Sequence, residues 1–160
     1  MLKQLTIKNF AIIDHITIEL DNAFNVLTGE TGAGKSLIIE AIGLLVGQRA
    51  SSDYIREGCE KANIEGFFEL NNTNIITDLE NLGVEVRDGL FLSRELSKSG
   101  KNPCRINGRL VPLSLYSQVG SKLVDIHGQN QELALLTSGK QMELLDSFAG
   151  EKVLRHKNNI

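Results

Sequence analysis

Gly29-Glu30-Thr31-Gly32-Ala33-Gly34-Lys35-Ser36 fits the phosphate-loop pattern G-x-x-x-x-G-K-[ST] at every position. Each part of the pattern has a chemical reason. Glycines let backbone N–H groups turn inward and approach phosphate oxygens closely, and the helix that follows adds its positive end. Lys35 is placed to reach the β- and γ-phosphates of a nucleotide as a mobile point charge. The Ser36 hydroxyl is placed to complete the coordination of Mg²⁺. The flanks agree with the motif. Phe24 to Thr28 reads as a short apolar strand that runs directly into Gly29. From Lys35 onward Leu37, Ile38, Ala41, Ile42, Leu44 and Leu45 cover most of the surface of a helix. A helix so apolar is expected to be buried, with Gly47 as its terminator.

Outward from the loop, short elements fill the chain. Leu5 and Ile7, then Ile16, Ile18 and Leu20, alternate with polar residues and predict two strands in a hairpin-like pair. Residues 48–60 are polar and irregular. Ala62 to Leu70 reads as a strand, with Ile64, Phe68 and Leu70 on one face. Ile75, Ile76, Leu79 and Leu82 have helical spacing, closed by Gly83. Val84-Glu85-Val86 and Leu90-Phe91-Leu92 read as further short strands. Asn107-Gly108, between Cys104-Arg105-Ile106 and Arg109-Leu110-Val111, predicts a hairpin, because Asn-Gly tolerates the positive φ angles of a type I′ turn. Pro112 is expected to start a helix through Val119. Leu123 to Ile126 reads as a buried strand before the polar run His127-Gly128-Gln129-Asn130-Gln131. Ser138 to Gln141 has capping-box spacing ahead of a last helix carrying Met142, Leu144, Leu145 and Phe148. The tail from Glu151 to Ile160 turns polar and stops without a terminating signal.

The 160 residues are the size of one ordinary domain, 41% apolar and 23% charged, enough for a core and for solubility. With 17 basic and 20 acidic side chains the formal net charge is −3, which argues against a strongly basic protein that coats nucleic acid. A local basic face is still compatible with that total. Arg94, Lys98, Lys101, Arg105 and Arg109 concentrate positive charge, with Glu95 the one acid among them, and suit either a DNA backbone or a solvated face. Cys59 and Cys104 have no metal-ligand spacing and read as free, packed thiols in a reducing cytoplasm. Met1 to Thr6 alternates like a strand, unlike a signal peptide, and no apolar run approaches the about 20 residues of a membrane helix. A soluble, cytoplasmic protein with no membrane partner is expected.

An ATPase also needs a second carboxylate near the metal and a group that orients the attacking water. Asp125 follows only Leu123-Val124, and Asp146 follows Leu144-Leu145 within an expected helix; neither has an adjacent glutamate. Asp125 therefore reads more readily as a polar residue at a strand end than as a metal carboxylate. Gln129 sits in a glycine-containing loop after the expected strand, where its amide can reach Mg²⁺ and the γ-phosphate side. His127 suits a hydrogen-bonding loop histidine better than a general base. Arg56, in Tyr54-Ile55-Arg56-Glu57-Gly58, suits contact with phosphate or another chain equally with a solvated position.

Three segments together resemble a known family. Leu5-Thr6-Ile7-Lys8-Asn9-Phe10-Ala11-Ile12-Ile13, Thr28 through Ser36, and Val124-Asp125-Ile126-His127-Gly128-Gln129 are similar, in this order and at these separations, to the RecN family of bacterial DNA repair ATPases. That family belongs to the SMC-like branch of the ABC ATPases. The resemblance covers essentially the whole chain. The fold it implies is α/β: a P-loop NTPase head of ABC/SMC type, whose N-terminal lobe is a mixed sheet with antiparallel strands packed on the P-loop helix. It places residues 1–148 in the N-terminal part of that head and residues 149–160 at the start of a connection to a coiled coil.

By position, the resemblance implies ATP and Mg²⁺ as ligands. Gly29, Glu30, Thr31, Gly32, Ala33, Gly34, Lys35 and Ser36 would hold the nucleotide, with Lys35 and Gln129 acting in hydrolysis. Ser36 and Gln129 would hold the metal, and Arg56 would match the arginine of the loop after the first helix. The family's signature sequence, Walker B aspartate and catalytic glutamate belong to the C-terminal half and have no counterpart here. The implied partners are that C-terminal half, a second head and DNA, in double-strand-break repair and recombination at the nucleoid. On this reading the chain alone binds nucleotide weakly and hydrolyses little. Two readings of other classes stand beside it. A self-contained small P-loop kinase would use Asp125 as its metal carboxylate. A transporter ATPase subunit would share the loop and the glutamine, but the stretch between them is rich in short strands where a coupling-type helical region is needed. A GTPase is disfavoured because no Asn-Lys-x-Asp base-reading motif occurs.

Overall fold

Leu5 and Ile7 are buried on one side of the first strand while Gln4 and Lys8 are exposed on the other, and this parity carries across the sheet. The computed structural model describes residues 1–29 and 34–126. The chain divides into two units, 1–125 and 126–160, and the described architecture is that of the first. Its elements run β1 (Leu2–Phe10), β2 (Ile13–Glu19), α1 (Gly34–Leu45), a single 3₁₀ turn (Ser52–Tyr54), β3 (Lys61–Phe68), α2 (Thr73–Asn81), β4 (Leu90–Ser97), β5 (Cys104–Ile106), β6 (Arg109–Val111) and α3 (Leu113–Leu123). The six strands form one sheet in the order β2-β1-β3-β4-β5-β6. Every strand pairing within it is antiparallel.

Register follows from which residues need burial. Leu5 lies opposite Ile18 and Gly66, Ile7 opposite Ile16 and Ile64, and Ile64 opposite Arg94, which is opposite Cys104. Ala62, Ile64, Phe68, Leu90, Leu92, Leu96, Cys104 and Ile106 thus share the inner face and form one core with Leu44, Leu45, Leu79, Tyr116 and Val119 from the helices. One break in parity has a local cause. Asn9 has φ 54°, so Phe10 is fully buried although the alternation from Lys8 would turn it outward. Phe10 then stacks on Tyr54, ring centroids 5.1 Å apart.

The predicted hairpin is present. Asn107 and Gly108 both have positive φ, 49° and 79°, and Cys104 pairs with Val111 across the turn. Gly47 ends α1 at φ 103° and Gly83 closes α2 at φ 79°, as expected of helix terminators. The helix after Pro112 outruns its expected end and continues to Leu123.

Three expected strands are not formed among the described residues. Phe24 to Thr28 pairs with no strand among the described residues, and Phe24 is 87% exposed. Val84-Glu85-Val86 is a loop in which Val84 is buried while Glu85 and Arg87 pair with each other. Leu123-Val124-Asp125-Ile126 is the last residue of α3 followed by irregular chain that joins no strand among the described residues. In each, apolar residues pack on neighbours or wait at the surface without the ladder partner that makes a strand. The expected last helix (Met142 to Phe148) and the polar tail lie outside the described residues.

Two close contacts set α1 against the sheet and α3. A Cβ on Gly120 would stand 2.1 Å from the Val46 carbonyl oxygen, so α3 crosses the end of α1 backbone to backbone. Arg94, 1% exposed, projects from β4 under the same end and donates to the Leu44 and Gln48 carbonyls at 2.7 and 2.5 Å.

Candidate nucleotide-binding site

The phosphate loop begins at Gly29, whose φ of 155° favours glycine, and delivers the chain into α1 at Gly34. Glu30, Thr31, Gly32 and Ala33 lie outside the described residues. The Lys35 ammonium donates to the Gly29 carbonyl, so the cation stands across the mouth of the loop. Ser36 is exposed in the first turn. Among the described residues that turn carries no acidic side chain to oppose the positive end of the helix. Among the described residues no heavy atom comes within 4 Å of where a Cβ on Gly34 would be. A helix N-terminus, a lysine whose ammonium reaches back to Gly29 and a hydroxyl in the first turn suit a polyphosphate with its Mg²⁺. Lys35 and Ser36 are the described side chains that would hold them, and the metal would neutralise phosphate charge.

α1 is built asymmetrically. Ser36, Ile39 and Glu40 near its start are exposed, whereas Ala41, Gly43, Leu44, Leu45 and Val46 toward its end are buried. The sequence-level expectation of a buried helix therefore holds only for the half away from the phosphates.

A second loop braces the open half. Tyr54 donates from its hydroxyl to the Glu40 carboxylate at 3.2 Å. Burial, then the charge of Glu40, push the Tyr54 phenol above its ordinary pKa. The Tyr54 carbonyl accepts from the Ala11 amide (2.7 Å), and the Arg56 amide donates to Asn9 (2.9 Å). The Arg56 guanidinium donates to the Ile12 carbonyl at 2.6 Å. Arg56 is thus fixed, half-buried, against the β1–β2 turn, by a loop that also grips α1.

Other candidates fare differently. Gln129, His127 and Asp146 lie outside the described residues. Asp125 is exposed beyond the end of α3, on no strand, which removes the structural context a metal carboxylate needs. The basic cluster divides. Arg94 is buried and spent on helix carbonyls, so it cannot face a DNA backbone, while Lys98 and Lys101 are exposed in the β4–β5 connection. Sequence reasoning missed the inward role of Arg94, although the signal was there: Leu90, Leu92, Arg94 and Leu96 share one parity.

With this geometry in hand, comparison with known proteins is decisive. A family model described as an AAA domain matches residues 4–158. The chain belongs to this AAA-domain family. Within it, the chain is 49% identical over 152 residues to the DNA repair protein RecN of Halalkalibacterium halodurans, a match covering 94% of this chain and 27% of that protein. It is 45% identical over 155 residues to the DNA repair protein RecN of Bacillus subtilis, covering 96% of this chain and 27% of that protein. The chain therefore spans about a quarter of the length of the curated relatives it matches. Among solved structures, an Smc head domain with an extended coiled coil from Pyrococcus furiosus, bound to the C-terminal domain of ScpA, superposes with a TM-score of 0.69 at 19% identity, over 99% of this chain and 44% of that one. A chain from structural work on ATP-driven dimerisation and DNA-stimulated activation of SMC ATPases gives 0.65 at 19% identity, over 92% and 98%. The AAA-domain fold here is that of an SMC-type ATPase head.

Proposed function

We propose that this chain is the ATP-binding N-terminal segment of the ATPase head of a RecN-like protein acting in DNA double-strand-break repair and recombination. The observation that carries the reading is the Lys35 ammonium held at Gly29 across a phosphate loop that opens an apolar helix. In this role the backbone of Gly29 to Ser36 binds the nucleotide phosphates, Lys35 orients and neutralises them, and Ser36 together with Gln129 holds Mg²⁺. Arg56, whose guanidinium is held on the Ile12 carbonyl in the β1–β2 turn, would supply the cation of the loop after the first helix. Residues 1–148 form the head segment and residues 149–160 lead toward a coiled coil.

Partners follow from what the surface lacks. Phe24 (87% exposed), Val26 (63%), Leu27 and Ile39 form apolar surface next to the phosphate loop, which suits a C-terminal half of the same head. A second head would engage across bound ATP, and ATP would bias the engaged state by binding it more tightly. DNA contact, through Lys98, Lys101, Arg105 and Arg109, belongs to the full assembly. No described helix is long and apolar enough to cross a membrane; a cytoplasmic, nucleoid-associated location suits the repair role.

The test is Mg·ATP binding and turnover by the purified chain over a range of protein concentrations, with Lys35→Ala as control. Lys35-dependent binding without turnover, and turnover on adding the C-terminal half, is the expected result. Robust turnover by the chain alone, lost in Lys35→Ala, would replace this reading with a complete small enzyme.

A further inference from the structure

We infer that Arg94 is a positioning residue for nucleotide binding, a buried cation that fixes the phosphate-loop helix from its far end. The inference rests on the nucleotide reading above.

Arg94 is an expensive residue to place where it is. It is 1% exposed, makes no ion pair among the described residues, and its Nε finds no partner. Opposite it on β5 is Cys104, and α3 adds Tyr116, whose buried hydroxyl is also unpartnered. A well-packed apolar side chain would serve the core with less desolvation. What the guanidinium does there is specific: Nη1 donates to both Leu44 and Gln48, carbonyls at and just past the last turn of α1. A cation at a helix C-terminus also complements the dipole whose opposite end faces the phosphates.

Leverage makes this placement matter at the site. The exposed start of α1 and its buried end are about 15 Å apart, from about ten residues at about 1.5 Å each. A tilt of about 5° at the buried end shifts the phosphate loop by about 1 Å. Displacement on that scale takes the loop's backbone N–H groups out of good hydrogen-bond geometry with bound phosphates, which weakens binding. Among the described residues the exposed half is held by the Tyr54–Glu40 hydrogen bond at 3.2 Å and by Lys35 on the Gly29 carbonyl, whereas the far end is packed into the core. There Gly120 limits approach from α3, and Arg94 supplies directional bonds that fix rotation about the helix axis.

The experiment measures Kd for a fluorescent ATP analogue with Mg²⁺, in the full-length polypeptide, at a temperature where each variant is fully folded by circular dichroism. Arg94→Met and Arg94→Lys are compared with Leu79→Ala, a core truncation on α2. Expected is about tenfold weaker binding for Arg94→Met and partial recovery in Arg94→Lys, which keeps charge and one donor group. Leu79→Ala should lower Tm and leave Kd within about twofold, since a purely structural loss does not move affinity in folded protein. Should Arg94→Met fail to fold, Arg94→Lys carries the test alone, with about threefold weakening expected. Folded Arg94 variants that bind as wild type would overturn the inference while leaving the nucleotide reading intact. Wild-type protein that binds no Mg·ATP would instead overturn the nucleotide reading itself.

Discussion

Gly120→Ala adds one methyl group where α3 crosses the end of α1, and the structure says that this methyl has nowhere to go. Its carbon would stand 2.1 Å from the Val46 carbonyl oxygen, 2.6 Å from the carbonyl carbon and 2.7 Å from Cα. All three are backbone atoms, so no rotamer change relieves the clash. Opening the shortest contact from 2.1 Å to 3.0 Å, the least that real Cβ atoms tolerate, moves the helices apart by about 0.9 Å. Overpacking of this kind costs about 1–3 kcal/mol, and rigid backbone on both sides puts this case near the top of that range. Alanine recovers about 1 kcal/mol through its better helix propensity. The net destabilisation is about 2 kcal/mol, or a fall in Tm of about 8 °C at about 4 °C per kcal/mol. Thermal and urea unfolding followed by circular dichroism read it directly. Ser121→Ala is the control: Ser121 is exposed and among the described residues its hydroxyl donates to the Gln118 carbonyl alone, so stability should change by no more than about 0.5 kcal/mol. A Gly120→Ala protein that melts at or above wild type would refute the argument, because helix propensity would then outweigh the contact.

Two further outcomes follow from buried and strained groups. Burial, and then the proximity of Cys104, raise the Tyr116 phenol well above its ordinary value of about 10. The folded protein keeps this proton at pH values where the unfolded chain releases it, so its contribution is full below about pH 10 and is lost as pH rises above that. Urea unfolding between about pH 8 and 11 should show a shallower loss of stability in Tyr116→Phe; an unchanged slope would rule out the assignment. Asn107 accepts from the Phe91 amide and donates to the Glu85 carbonyl, both at 2.9 Å, while holding φ 49°. Asn107→Gly loses the two bonds and should cost about 1–2 kcal/mol. Asn107→Ala adds left-handed strain of about 1 kcal/mol, and equal stabilities of the two variants in urea would discount the strain.

How much was legible beforehand varied with the range of the interactions involved. The Asn107-Gly108 turn, the Gly47 and Gly83 helix ends and the alternation of β1 and β3 are local chemistry. A φ angle only glycine or asparagine tolerates, or a period of two, is written in adjacent residues. Phe24 to Thr28 shows where that reasoning stops. Five residues with the composition of a strand are exposed chain that pairs with no strand among the described residues, because a strand is defined by its neighbour. Leu123 to Ile126 failed in the same way, its first residue taken by the helix that precedes it.

By itself, then, the sequence determined the phosphate-loop pattern, the antiparallel hairpins and the helix boundaries set by glycine. Tertiary structure alone decided that Arg94 leaves the basic cluster for the interior, that Arg56 is pinned to the Ile12 carbonyl, and that α1 is buried at one end and open at the other. Each of these depends on groups about 40 to 50 residues apart in the chain meeting across the fold, as Arg94 meets Leu44 and Arg56 meets Ile12. Charge and propensity are properties of a residue, whereas burial and partnership are properties of its surroundings, and those exist only once the sheet has closed over the helix.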